Sequence, residues 1–268
     1  MTTSDLVRYD VADGVATLTL NDPGRLNPLT MPLLQGALQA LQQVHDDRSV
    51  RVLVLQGAGR GFCSGADLSS FTAEGTSAAG RAEAVSDLLE HGGGPLVLAL
   101  NELPVPVICA VHGAVAGGGV GLALAADVVI AARSAFFYLP FVPALGLVPD
   151  MGAAWFLQRA LGPARAKALT LLGERLGAEQ AAAWGLIWAC VDDDRLAEET
   201  TRLATRLAAL PAHAALETRA LLRAAAVNEL PAQLGHERGR QRALVAGAAF
   251  DEGLSAFLQK RRPVFPRR

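Results

Sequence analysis

Gly61-Phe-Cys-Ser-Gly-Ala-Asp67 and Ala116-Gly-Gly-Gly-Val-Gly121 are two glycine-containing stretches about fifty residues apart, and each follows an apolar run, Val52-Leu-Val-Leu-Gln56 and Val107-Ile-Cys-Ala-Val111. Small residues at a strand-to-helix junction leave backbone N–H groups facing outward, able to meet a ligand oxygen. One such loop is commonplace. A pair points to two N–H donors converging on one oxyanion, the arrangement required by chemistry that passes through an enolate or a tetrahedral intermediate.

Working outward, Val7–Val11 and Val15–Leu20 alternate in polarity around Asp13-Gly14, the signature of a hairpin. Leu33, Leu34, Leu38, Leu41 and Val44 recur at helical spacing over 31–46, and 52–56 reads as a buried strand. Helix and strand then alternate: a helix before Pro104, strands at 107–111 and 128–132, and a helix between them from about Gly118. This alternation predicts a layered α/β fold. The small, polar stretch 69–80 reads as a mobile loop beside the first glycine site. From Met151 the pattern is almost wholly helical, with Asp192, Asp193 and Asp194 capping a helix near Leu196, Trp184 and Trp188 four apart on one core-facing side, and a short amphipathic helix over 252–260.

Bulk properties narrow the partner. The 268 residues are 51% hydrophobic and 19% charged, with a formal net charge of −2, a balance that offers no field for nucleic acid or an acidic membrane and favours a small molecule. Cys63, Cys109 and Cys190 form no CxxC pair and read as reduced cytoplasmic thiols. The start lacks a signal-peptide pattern, and the apolar window 105–129 is interrupted by Pro106, His112, glycines and Asp127, which marks a buried strand-turn-helix rather than a membrane span. Neither a phosphate loop, a G-x-S-x-G elbow nor a metal-ligand cluster is present, so no metal is expected.

Among titratable residues, Asp67 reads at least as well as a helix cap as a catalytic group. Asp150 lies among Phe136, Phe137, Phe141, Val142, Leu145 and Leu147; such flanks disfavour its charge and tune it toward proton exchange near neutral pH, which places catalysis ahead of capping. His112 reads as a hydrogen-bonded structural histidine, and His91, beside Gly92-Gly-Gly94, as exposed. Lys260, Arg261 and Arg262 form a solvated end able to meet a phosphate.

Taken together, Gly59-Arg-Gly-Phe-Cys-Ser-Gly-Ala-Asp-Leu68, Pro106-Val-Ile-Cys-Ala-Val-His-Gly113, Ala116-Gly-Gly-Gly and Asp127-Val-Val-Ile-Ala resemble the crotonase (enoyl-CoA hydratase/isomerase) superfamily, and the likeness runs from Gly14 to Arg261. The resemblance implies a crotonase-like spiral of ββα repeats, with a catalytic core over 1–200 and a helical C-terminal trimerisation region over 201–268, assembled as a homotrimer or a dimer of trimers. It implies an acyl-CoA thioester substrate, with coenzyme A part of that substrate and no separate cofactor. The oxyanion donors would be the N–H groups of Ser64 and Gly118. Residues Ser64, Gly65, Ala66, Asp67 and Gly117 would line the coenzyme A site, joined by Phe257 and Lys260 from the C-terminus.

Hydratases of this superfamily carry two glutamates. This chain has Gly121 at the first position and Phe141 near the second, while its acid appears at Asp150. Hydration calls on a base for water and an acid for the α-carbon, whereas moving a double bond needs one group that removes and returns a proton. The chain therefore reads as an acyl-CoA isomerase using Asp150, and segments such as Gly146-Leu-Val-Pro-Asp-Met-Gly-Ala-Ala-Trp155 look most like the branch that isomerises ring-1,2-epoxyphenylacetyl-CoA. Its rivals are a hydratase working through Asp150, alone or with the 69–80 loop, and an acyl-CoA-binding homologue without chemistry.

Overall fold

The computed structural model describes residues 6–71 and 77–265. Its first elements are the hairpin β1 (Val7–Ala12) and β2 (Val15–Leu20), then α1 (Met31–Asp46), β3 (Val52–Gly57), α2 (Ala78–Leu88), α3 (Gly94–Glu102), β4 (Val107–Val111), β5 (Ala114–Ala116) and α4 (Gly118–Leu124). The remainder comprises β6 (Val128–Ala132), β7 (Phe136–Tyr138), α5 (Ala153–Leu172), β8 (Leu176–Gly177), α6 (Ala178–Ala183), β9 (Ala189–Val191), α7 (Leu196–Ala208), α8 (Ala212–Ala225), α9 (Leu230–Val245) and α10 (Ala248–Leu258).

The hairpin closes on Asp13 and Gly14, both at positive φ (51° and 78°), as a two-residue turn matched to strand twist requires. Six strands then form one sheet in the order β1-β2-β3-β4-β6-β9, parallel from β2 onward, and β5-β7-β8 form a second. Both faces of the main sheet are covered, which explains why its strands read as continuous apolar runs. Leu53, Leu55, Val107, Cys109 and Val111 join the large core that also holds Leu33, Leu41 and Leu100 of α1 and α3. Their alternating neighbours Val52, Val54, Ile108, Ala110 and Ile130 pack on Leu203 and Ala204 of α7. The expected division at residue 200 falls inside α7, whose contacts belong to the core.

Several expectations change. The chain after Met151 is not wholly helical, since β8 and β9 add strands to both sheets. Helix α6 ends at Ala183 with Gly185 at φ 80°, so Trp184 and Trp188 share no helical face, and Trp188 is 68% exposed. Asp192 and Asp193 do not cap α7; they accept from Arg133 and from the Ser134 N–H. In the expected 69–80 loop, Ser69 lies in a 3₁₀ turn over Leu68–Phe71 and 78–80 open α2, while 72–76 lie outside the described residues. Among the described residues no helix is long and apolar enough to cross a membrane.

Candidate active site

The parallel bridge Cys63↔Val115, with the Ala116 N–H donating to the Cys63 carbonyl at 2.9 Å, brings the two glycine stretches side by side, while a second bridge, Leu29↔Ala66, seats the first stretch against the segment after Asn27. Gly65 carries φ 85°, and a Cβ there would lie 2.9 Å from the Ala116 carbonyl oxygen, 3.2 Å from Gly117 Cα and 3.4 Å from Gly118 N. Any larger residue at 65 would wedge the loops apart. Gly119 is confined likewise by Cys63, whose Cβ and Sγ would stand 2.9 and 3.0 Å from its added Cβ. Cys63 is fully buried, and burial pushes its thiol up to about 12, so it is a packing group and not a nucleophile.

The first loop is fixed by Asn27, which the sequence reading did not single out. Its buried side chain accepts from the Asp22 N–H at 2.7 Å and donates to the carbonyls of Ala58, Gly61 and Phe62 at 2.9–3.0 Å. The Asn27-Pro28 pair is a turn signal that could have flagged it. Leu26 and Asn27 both sit at positive φ (62° and 54°), and the Leu26 carbonyl accepts the Ser64 N–H at 2.9 Å. The Ser64 N–H is therefore already engaged, which corrects its expected role as an oxyanion donor. The Gly65 N–H points to Cys63 Sγ at 3.4 Å. The Ala66 N–H, by contrast, has no acceptor among the described residues, and neither has that of Gly118 at the start of α4.

Asp67 serves the scaffold. Its Oδ1 accepts from the Ser69 hydroxyl (2.6 Å) and N–H (3.2 Å), and its Oδ2 from Arg25 at 2.7 Å; the Ser69 bond leads the influences that hold its carboxyl below the usual range. His112 hydrogen-bonds through Nε2 to the Gly59 carbonyl at 2.8 Å, and His91 is exposed. Both match the structural readings.

Asp150 joins the second loop. A Cβ on Gly118 would stand 3.1 Å from Asp150 Oδ1, and that oxygen is buried with no hydrogen-bond partner. Burial pushes the carboxyl up to about 6, opposed only by its own backbone N–H. The side chain does not cap α5, whose N-cap is Gly152. A carboxyl so placed is able to exchange a proton near neutrality.

The two positions at which hydratases carry glutamates are filled differently. A Cβ on Gly121 would collide with the Met151 carbonyl and stand 2.9 Å from Met151 Cβ, so the turn bearing Asp150 occupies the space of any side chain there. Phe141 is buried, 5% exposed, with Cζ 3.8 Å from where a Gly117 Cβ would lie. Of the other aromatic residues expected around Asp150, Phe137 is in the core and Phe136 faces Arg175, whose guanidinium is 4.5 Å from its ring. Phe257, 82% exposed, lines a groove with Leu244, Phe250 and Leu254 of the C-terminal helices, and the structure does not bring it or Lys260 to the glycine loops. No cluster of three or more His, Cys, Asp or Glu suited to a metal occurs among the described residues.

Comparison with known proteins agrees with this geometry. The family model described as enoyl-CoA hydratase/isomerase matches residues 10–268. The 1,2-epoxyphenylacetyl-CoA isomerase of Escherichia coli K12 is 46% identical over 261 residues, covering 97% of this chain and 98% of the relative. A protein of Rhodobacter capsulatus named "Probable enoyl-CoA hydratase" is 41% identical, covering 97% of each. The crystal structure of an enoyl-CoA hydratase from Polaromonas sp. JS666 superposes with a TM-score of 0.90 at 32% identity, covering 97% of this chain and 99% of that one. Adjoining glycine loops, a buried aspartate beside them and these matches along nearly the whole chain make it a member of the enoyl-CoA hydratase/isomerase family, with the crotonase fold.

Proposed function

We propose that this chain is an acyl-CoA isomerase in which Asp150 is the sole proton carrier and the N–H groups of Gly118 and Ala66 hold the thioester oxygen. The observation that carries this reading is the pairing of one buried carboxyl beside Gly118 with two hydratase positions closed to an acid by Gly121 and Phe141.

In a 3-enoyl thioester, Asp150 takes a proton from C2, and the electron pair moves onto the thioester oxygen to give a dienolate. The two N–H donors stabilise that developing charge. Asp150 then returns the proton at C4, the C2–C3 double bond forms, and the aspartate is regenerated. Ala66 replaces Ser64 as the donor from the first loop, because the Ser64 N–H already serves Leu26. The relative named for 1,2-epoxyphenylacetyl-CoA supports a ring epoxide as a further substrate for the same site. Residues Gly65 and Gly117 give the thioester backbone clearance, while Phe257 and Lys260 meet coenzyme A in a homotrimer or a dimer of trimers, where a neighbouring copy can bring them to the loops. The setting proposed is cytoplasmic.

The experiment compares 3-enoyl-CoA isomerisation with trans-2-enoyl-CoA hydration, with Asp150→Asn as control. The expected result is faster isomerisation, lowered on the order of 100-fold or more in the variant, with coenzyme A ester binding kept. Dominant hydration would favour the hydratase reading suggested by the Rhodobacter relative's name, and tight binding without any conversion would favour a binding protein. Full activity of Asp150→Asn would sink the assignment of the carboxyl.

A further inference from the structure

Met151 adopts a backbone conformation that residues with side chains avoid. Its φ is 50°, that of Gly152 is 76°, and the Asp150 carbonyl accepts the Ala153 N–H at 2.9 Å across the pair. A turn with two successive positive φ values favours Asn or Gly at its first central position, and Met there is strained. Strain of this kind persists only where the surroundings over-determine it.

Here the surroundings are glycines from two other elements. A Cβ on Gly118 would lie 2.8 Å from Met151 Cγ, one on Gly121 would meet Met151 Cβ and its carbonyl, and one on Gly93, in the π-turn over Leu89–Gly93, would run into Sδ. The Met151 side chain is thus threaded through a slot cut by Gly93, Gly118 and Gly121, and the residue is 6% exposed. Gly118 also borders Asp150 Oδ1, so the seat of Met151 and the aim of the carboxyl share one wall. Glycine or asparagine at 151 would make the turn without strain and leave the slot empty.

We propose that Met151 is a positioning residue, whose side chain, locked between Gly93, Gly118 and Gly121, holds the left-handed turn that aims the Asp150 carboxyl at the Gly118 loop. Its catalytic consequence rests on Asp150 being the proton carrier. Its structural content does not.

Two variants test it from opposite sides. Met151→Gly relieves the strain and removes the anchor. Gly93→Ala keeps a helical backbone (φ −64°, ψ −51°) and obliges only the flexible thioether to move. Both are expected to lower kcat on the order of 10-fold or more with KM little changed, the pattern of a misplaced reacting group rather than lost binding, and Met151→Leu is expected to recover most of it. Independently of activity, a ¹³C-carboxyl NMR titration assigned with Asp150→Asn should show the Asp150 midpoint moving from about 6 toward its ordinary 3.8 in Met151→Gly, as water reaches the carboxyl. Wild-type kcat in Gly93→Ala together with an unmoved midpoint in Met151→Gly would overturn the proposal; should the glycine variant fail to fold, kcat of Gly93→Ala decides. Activity surviving in Asp150→Asn would refute the proton-carrier reading instead, while the titration would still judge the positioning.

Discussion

Asp150 is kept in a place that disfavours its charge, and this has a thermodynamic signature. Burial pushes its carboxyl up to about 6 in the folded chain from an ordinary 3.8. Between those two values the folded state holds more protons than the unfolded state, so stability falls as pH rises through the window, by on the order of 3 kcal/mol once the group is ionised. An amide escapes that penalty. Asp150→Asn is therefore expected to gain stability relative to the wild type between pH 4 and pH 8, by about 1–3 kcal/mol after allowance for unmet amide hydrogen bonds. Urea unfolding at the two pH values checks this, and a difference independent of pH would refute it. The residue was legible in the sequence as a carboxylate among apolar residues, but those flanks are only partly its surroundings: Val142, Leu145 and Leu147 are exposed, and the wall beside the carboxyl is the Gly118 loop. The donor from the first loop was not legible. Sequence shows which residues flank a loop but not which N–H groups are already spoken for, and the acceptor that engages Ser64 belongs to Leu26, far upstream.

At the scale of elements, the contact between α4 and the Asp150 turn leaves no room for a side chain at position 121. Because a Cβ on Gly121 would strike the Met151 carbonyl, restoring a hydratase-like acid there cannot be a simple gain of function. Gly121→Glu is expected to lose stability by at least the 1–3 kcal/mol typical of overpacking, about equally in thermal and denaturant unfolding, and to gain no hydration. A stable variant that hydrates trans-2-enoyl-CoA would overturn this. Most elements were readable. Helix α1 and strands β4 and β6 begin and end where the hydrophobic pattern places them, since strands buried on both faces and an amphipathic helix carry strong periodic signals. Strands β8 and β9, of two and three residues, are too short to show a period. The spacing of Trp184 and Trp188 misled because Gly185 ends the helix between them.

At the scale of the molecule, the C-terminal helices are tied to the core by arginines, with Arg219 making most of the bonds and Arg223 donating to the Asn101 carbonyl at 2.7 Å. Arg219 of α8, with 11% of its side chain exposed, pairs with Asp127 at 2.8 Å and donates to the carbonyls of Leu100, Asn101, Leu103 and Val105, at the end of α3 and the approach to β4. The second oxygen of Asp127 accepts the Val107 N–H at 2.7 Å. Replacing Arg219 leaves these acceptors without their cation, so Arg219→Met is expected to destabilise by about 3 kcal/mol and to speed proteolysis within 212–258. Unchanged unfolding and digestion would show that the helices are held without the Arg219 cluster. The sequence foretold helices in this region but not the clamp, because both partners sit in elements that pair only after folding. The Cys63↔Val115 bridge that joins the glycine loops has a similar dependence on order, with a consequence for biosynthesis. The first loop leaves the ribosome well before the Gly118 loop, and Met151 follows Ala66 by 85 residues; at 5–20 residues per second that is a wait of about 4–17 s. Through the earlier part of that interval the nascent chain displays Cys63 without Val115 and Gly119, which pack on it in the fold, and this makes that stretch of translation the natural point for a chaperone to engage.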